Sequence, residues 1–356
     1  MPITRHFLGW DGPALERATS YLHDLHGQGD DGWDLSHVVV VVPAGRAGRR
    51  LLEILVTAAQ AQGRPLNPPR VVTAGGLPEL LYQPAQAVAG DLASNLAWVL
   101  ALRRMEPEVF ADLIPAPPQQ DDLSGWWALA KQIRTLQDDL AGHRMRFKDV
   151  PRLCEERAVE LRGEQRWNVL DLVEESYHQA LAAQQLIDRS AARLDAIHQG
   201  RCTCDGNTQI VLIATPDLND ATAAMLRQMA DRVTALVMAP QSHADGFNDL
   251  GILKSPYWQD QAVELQADQV SFVERVSDQP NELLAQITSA YDEARDKSET
   301  LSADQITLGL GDEKFAEAVK RTLDMAGVPN RHAAGTPAQK SRPAVLLRAL
   351  GGFMEQ

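Results

Sequence analysis

An α/β fold built on a parallel sheet, with a block of helices set into it, is what the sequence predicts, and three observations predict it. Val38–Val42 is an unbroken run of five valines, the pattern of a strand buried on both faces. A stretch with helical spacing follows it at once, and a second β-rich run, Val71-Val72-Thr73, comes next. Far downstream two more such runs, at 210–214 and 235–239, flank another helical stretch. Strands alternating with helices are the mark of βαβ units.

Taken in order, Pro43-Ala44-Gly45 ends the first strand. The spacing predicts a helix over 46–62, with Leu51, Leu52, Leu55 and Val56 on one side and Gly63 closing it. Ala74-Gly75-Gly76 then leads into a short helix from Leu77. Between residues 85 and 197 the strand patterns stop. Amphipathic helices are expected over 89–104, 124–141 and 163–184, with a shorter one over 190–197. Pro115-Ala116-Pro117-Pro118 separates the first two. The returning strands enclose a helix over 220–232 and are expected to join the sheet of Val38–Val42 through a right-handed crossover. A third section predicts strands over 271–274 and 305–310, a helix over 282–296, and a helix over 313–325 between Asp312 as N-cap and Gly327 as C′ residue. Residues 328–331 read as an edge element, and 343–354 as an amphipathic stretch on which the chain stops, as a truncated protein would. The expected division is 1–84 plus 205–256 for the first α/β domain, 85–204 for a helical insertion, and 267–356 for the start of a second α/β domain.

Composition narrows the function classes. The net charge of −14 argues against a general nucleic-acid coat, although it leaves room for a local basic groove. Only seven of the 34 basic residues are lysine. No apolar run approaches the roughly 20 residues that span a bilayer, and no secretory leader is read at the start. Three cysteines, an odd number in a long chain, imply no disulfide framework and fit a reducing cytoplasm.

The strand–turn–helix at the first strand stands where a phosphate-binding loop would stand. Such a loop needs Gly-Lys-Ser/Thr, the lysine for phosphates and the hydroxyl for magnesium. Here Pro43, Gly45 and Gly48 occupy the loop positions of a degenerate version, and no lysine anywhere follows a glycine. ATP is therefore not expected as a cofactor. What remains is a helix start carrying Arg46, Arg49 and Arg50, candidates for a DNA phosphate. The plainer reading of those arginines is a solvated basic face or surface ion pairs with acidic neighbours. No catalytic residue and no metal ligand is assigned. Cys202-Thr203-Cys204, near His198 and Asp205, lacks the spacing and the second pair of a zinc site. No Glu-x-Lys follows the Asp217 of Pro216-Asp217, so a PD-(D/E)xK nuclease centre is not completed and Asp217 reads as a helix-start or turn residue. Gly309-Leu310-Gly311 lacks the third glycine of a dinucleotide loop. Trp98, Trp126, Trp127 and Trp167 can stack on bases in principle, but at helical spacing beside leucines they read as core.

Several of these segments, in order, resemble the AddB family, the partner subunit of a bacterial helicase–nuclease in the superfamily-one helicase group. Residues 38–51 resemble that family's strand–Pro–x–x–Arg segment, in the version without Gly-Lys-Thr. Arg166-Trp167-Asn168-Val169-Leu170, running on to Leu186-Ile187-Asp188-Arg189, is similar to a helix that ends in a leucine-then-Asp turn. Residues 209–216 are similar to the strand before the motif-two region, without its Asp-Glu pair. Residues 312–327, then Gly335-Thr336-Pro337, resemble the second RecA-like domain. The resemblance covers nearly the whole chain and is carried by element order. It implies two RecA-like domains, the first interrupted by helices. It also implies a nuclease domain beyond Gln356, the only place for magnesium. DNA, single-stranded or at broken ends, and an AddA-type motor subunit are the partners implied, with no membrane. The resulting expectation is a non-catalytic scaffold in DNA double-strand-break repair. The alternatives are an active ATP-dependent motor with an unusual loop, and a generic protein-interaction module that docks through the helical block.

Overall fold

A computed structural model describes residues 2–27, 32–262, 269–332, 335, 338 and 341–354. The chain divides into two units, Met1–Gln261 and Ala262–Gln356.

Strands in the first unit are β1 (Thr4–Phe7), β2 (Trp33–Asp34), β3 (Val38–Val42), β4 (Leu66–Asn67), β5 (Arg70–Thr73), β6 (Ala87–Val88), β7 (Leu186–Ile187), β8 (Gln209–Ile213) and β9 (Val233–Val237). Its helices are α1 (Ala14–His26), α2 (Gly45–Ala61), α3 (Asp91–Arg103), α4 (Pro107–Leu113), α5 (Leu123–Gly142), α6 (Asp149–Glu156), α7 (Glu164–Ala182), α8 (Arg189–His198), α9 (Asp220–Arg227) and α10 (Ser255–Gln259). Five strands form one wholly parallel sheet in the order β1-β9-β8-β3-β5. The returning strands therefore do join the sheet of the first, with Val39 opposite Ile210 and Val41 opposite Leu212. The fold is α/β, as the valine run predicts.

All five residues of β3 are buried because helices cover both faces. Val38, Val40 and Val42 pack with Leu22 of α1 and with Leu51 and Leu55 of α2. Val39 and Val41 pack on the other side with Ala192 and Ala196 of α8 and Met225 and Leu226 of α9. Each fully buried valine or leucine contributes about 1.5–3 kcal/mol of transfer free energy. On α2 it is Leu51 and Leu55 that reach the core, whereas Val56 stays exposed.

From β3 the chain goes outward to β5 on one side, then returns to β8 on the other. The loops leaving β3 and β8 thus diverge at the C-terminal edge of the sheet, where open α/β sheets collect ligands.

The helical block lies between β5 and β8 in sequence. Its two ends are tied by the parallel pairing of β6 with β7, Ala87 opposite Leu186 and Val88 opposite Ile187. Its own core centres on Trp98, stacked on Tyr177 with centroids 4.2 Å apart and planes 11° off parallel, and on Phe147. Trp98 and Trp126 are buried and Trp127 and Trp167 pack against the same core, as the helical spacing implies. A polar seam crosses the block: Gln137 donates to Glu174 Oε1 at 3.0 Å, and the Tyr177 hydroxyl donates to Asp188 Oδ2 at 2.8 Å. Asp188 also caps α8 by accepting from the Ala191 N–H.

The second unit holds α11 (Gln279–Asp296), α12 (Ala316–Met325) and α13 (Arg342–Met354). Ile287, Val319 and Leu323 form its small core. The strands expected over 271–274 and 305–310, and the edge element over 328–331, do not form. A strand is stable only when a ladder partner accepts its backbone groups, and no strand occurs among the described residues of this unit. Ile306 and Leu308 instead lie against the α11–α12 core as irregular chain. The helix over 313–325 begins as a 3-10 turn at Glu313–Phe315, with Asp312 accepting from the Lys314 N–H. Gly327 takes φ +71, as a C′ glycine should. Gly335 has φ +72, and Thr336 and Pro337 lie outside the described residues. No helix among the described residues is long and apolar enough to cross a membrane.

Candidate functional site

Only Pro43 and Ala44 separate β3 from α2. A triphosphate loop needs an arc of successive N–H groups turned inward, and two residues cannot describe one. Neither Pro43 nor Gly45 adopts a positive φ. Gly48 is buried one turn into α2, where an added Cβ would stand 2.8 Å from Val71 Cγ1 and 3.5 Å from Val42 Cγ2. Close approach of helix to sheet therefore explains that glycine without any phosphate.

Arg46, Arg49 and Arg50 are all exposed at the start of α2, as are Pro43 and Gly45. Arg50 is tied to Glu53 Oε2 at 3.1 Å. No ion pair within 4 Å reaches Arg46 or Arg49 among the described residues. The N-cap residue is Ala44, which has no side chain to cap with, and the first turn carries no acid. Positive side chains at the positive end of a helix dipole are unfavourable unless an anion joins them. The geometry thus holds two open guanidinium groups over uncapped N–H groups at the C-terminal end of a central strand.

A second basic surface was not foreseen. His143, Arg144, Arg146, Lys148 and Arg152, with Leu194 and His198, line an open groove of 570 Å³ beside α6 and α8. Residues 143–148 connect α5 to α6, and the turn is set by Arg144 in the left-handed region at φ +59. Phe147 is buried in the block and Met145 half-buried, with Arg144 and Lys148 exposed on either side of them. Arg152 is held by Asp149 at 3.6 Å and Glu156 at 2.7 Å. Arg144, Arg146 and Lys148 make no ion pair within 4 Å among the described residues. Burial, then the carboxylates of Glu175 and Glu174, push the Asp171 carboxyl above the usual aspartate range, against the pull of Lys148 and Arg146. At one end of the groove His143 Nδ1 lies 3.1 Å from Asp220 Oδ2. The signal was present in the sequence as Arg-Met-Arg-Phe-Lys, cations interleaved with apolar anchors. A groove of this kind suits an extended polyanion.

The other sequence candidates hold structural places. Cys202 is buried, with its N–H bonded to Gln228 Oε1, and burial pushes its thiol up. Cys204 lies 3.7 Å from Arg232 Nη1. Asp217 sits in the loop before α9, but Asn219 is the cap, accepting from the Thr222 N–H. Among the described residues no group of three or more His, Cys, Asp or Glu could hold a metal ion. Compared with known proteins, the chain matches no family model and no curated protein.

Proposed function

We propose that this chain is a non-catalytic, helicase-like scaffold of a DNA-break-repair helicase–nuclease, that its first unit is RecA-like, and that it binds DNA at the C-terminal edge of its sheet. A motor subunit of AddA type is the second partner in this reading. The observation that carries it is the turn after β3, which is too short for a triphosphate yet presents Arg46 and Arg49 without carboxylate partners. The groove at 143–152 supports it with further cations on the same unit. The helical block between β5 and β8 supports it by matching the interruption that the resemblance implies.

Filter binding of the chain to single-stranded and forked DNA at low salt, alone and with a motor subunit, is the test. Binding that falls steeply with added salt is expected, because each neutralised phosphate releases counterions. Absence of binding in both conditions refutes the reading. An active motor is the competing reading, and no observation of the β3–α2 turn favours it.

A further inference from the structure

We propose that His26 and His37 form a two-imidazole site for a late first-row divalent cation, Zn2+ or Cu2+, which ties the end of α1 to the start of β3. The site is separate from both basic surfaces and does not depend on the DNA-binding reading.

His26 is the last residue of α1, and His37 is the residue before β3. Packing brings them together. Leu22 of α1 is buried among Val38, Val40 and Val42, which sets the end of the helix beside the entrance to the strand. The His37 backbone is fixed, its carbonyl accepting from the Gln209 N–H at 2.9 Å. The two rings lie edge to face with centroids 4.8 Å apart and planes at 76°. Two imidazoles bound to one ion at the usual ~2.0–2.1 Å set their ring centres roughly 5 Å apart. The backbone therefore already spaces the rings for a shared ion, and rotation about each Cβ–Cγ bond aims a nitrogen at it.

Neither ring is committed elsewhere. Both residues are half-buried, yet no hydrogen bond or ion pair reaches a ring nitrogen of either among the described residues. By contrast, His23, His143 and His243 each have a partner at Nδ1.

The local charges suit a cation. Burial, then the charge of His37, holds the His26 imidazole below its ordinary value, with the Asp34 carboxylate pulling the other way. A ring that sheds its proton readily offers a free nitrogen at neutral pH. Hydrogen bonds from Ser36 first, and also the charge of His37, hold the Asp34 carboxyl below the usual aspartate range. Asp34 thus stays ionised within reach of both rings and offsets the charge of a dication. A cation at the end of α1 also meets the negative end of the helix dipole. Among the other charged groups on these elements, Asp24 lies 3.3 Å from His23 Nδ1, and Arg64 donates to the Gly27 carbonyl at 2.6 Å. Arg64 opposes a dication, but the charges felt at the His26 ring are those of His37 and Asp34.

The donor set selects the metal class. Imidazole suits zinc and copper, with copper the tighter, whereas Mg2+ and Ca2+ require oxygen ligands. No group of three His, Cys, Asp or Glu forms a site among the described residues, so water completes the shell.

The test is isothermal titration of the full chain with Zn2+ at about pH 7.5, where histidine nitrogens are free. One site per chain is expected. His26→Gln and His37→Gln should each weaken it by at least the roughly tenfold that loss of a supporting group costs. His198→Gln should leave it unchanged. Zn2+ at about a hundredfold excess over its Kd should raise Tm by roughly 5 °C in the parent, and by much less in the first two variants. The unaltered protein supplies a second measurement. Saturating Zn2+ should protect His26 and His37 from diethyl pyrocarbonate, read by peptide mass, while His198 reacts as before. No binding of Zn2+, or an affinity untouched by both His26→Gln and His37→Gln, overturns the site. Equal modification of His26 and His37 with and without Zn2+ overturns it too, as does Mg2+ binding as tightly as Zn2+. DNA binding measured in metal-free buffer is unaffected by any of these results.

Discussion

Alanine in place of Gly48 separates two explanations of the β3–α2 turn. If the glycine were there only as a remnant of a phosphate loop, Gly48→Ala in the first turns of a helix would stabilise by about 1 kcal/mol, the usual gain in helix propensity. The structure predicts the opposite sign. The new Cβ would stand 2.8 Å from Val71 Cγ1, on a short branched side chain of β5 that has little freedom to move. Overpacking of this kind costs about 1–3 kcal/mol, so the net effect is a loss of roughly 1–2 kcal/mol. Gly45→Ala is the matched control: its nearest neighbour would be Arg49 Nη1 at 4.0 Å, and it should not destabilise. Val71→Ala removes the clashing methyl, so the double variant should recover part of the loss and give a coupling of about 1 kcal/mol. Urea unfolding at constant m measures the parent and all four variants. A Gly48→Ala protein as stable as the parent, or no coupling to Val71, refutes the packing argument.

Four further outcomes follow from particular groups. Tyr177→Phe keeps the stack on Trp98 but takes a donor from the buried Asp188 carboxylate, and should cost about 1–3 kcal/mol in denaturant unfolding. Burial, and next the neighbouring His37, hold the His26 imidazole below its ordinary value. The unfolded chain then binds the proton more readily, so this stability is present above the ordinary histidine pKa and lost as pH falls through the folded one; His26→Gln should flatten that part of the pH profile. Isothermal titration with ATP and magnesium should give no binding heat, and an affinity that Arg46→Ala abolishes would instead establish the motor reading. Replacing Arg144, Arg146 and Lys148 with glutamine should reduce the salt slope of single-strand binding by roughly 2, at about 0.7 per phosphate contact, and an unchanged slope would remove the groove from the interface.

The sheet was legible because its central strands are unmistakable. Val38–Val42 and the runs around Ile210 and Ala235 are apolar on both faces, and only helices on both sides of a sheet produce that demand. β1 was missed for the converse reason. As an edge strand it pairs only with β9 and carries Thr4, Arg5 and His6, and Arg5 spends its guanidinium on the Ala244 and Phe247 carbonyls. The strands expected at 271–274 and 305–310 show that β-propensity without a partner is not a strand. At the candidate site, Arg46 and Arg49 were legible because they follow a strand whose end is easy to find. The groove was legible only in part: the run Arg144–Lys148 interleaves cations with apolar residues, but its meeting with Leu194 and His198 joins elements distant in sequence, and local spacing carries no trace of that meeting.

The same distinction governs the charge argument. A net charge of −14 is a sum over the chain, whereas a phosphate responds to charges within a screening length of about 8 Å at physiological salt. Several acids near the two basic surfaces are committed already, although Asp171, which feels Lys148 and Arg146, is in no ion pair among the described residues. Glu53 binds Arg50, Asp149 and Glu156 bind Arg152, and Asp220 faces His143. Pairing of that kind neutralises acid and base together and leaves Arg46, Arg49, Arg144, Arg146 and Lys148 as the local excess. An acidic chain can therefore present a cationic edge, provided its carboxylates are spent on the cations that flank the edge rather than on those that form it.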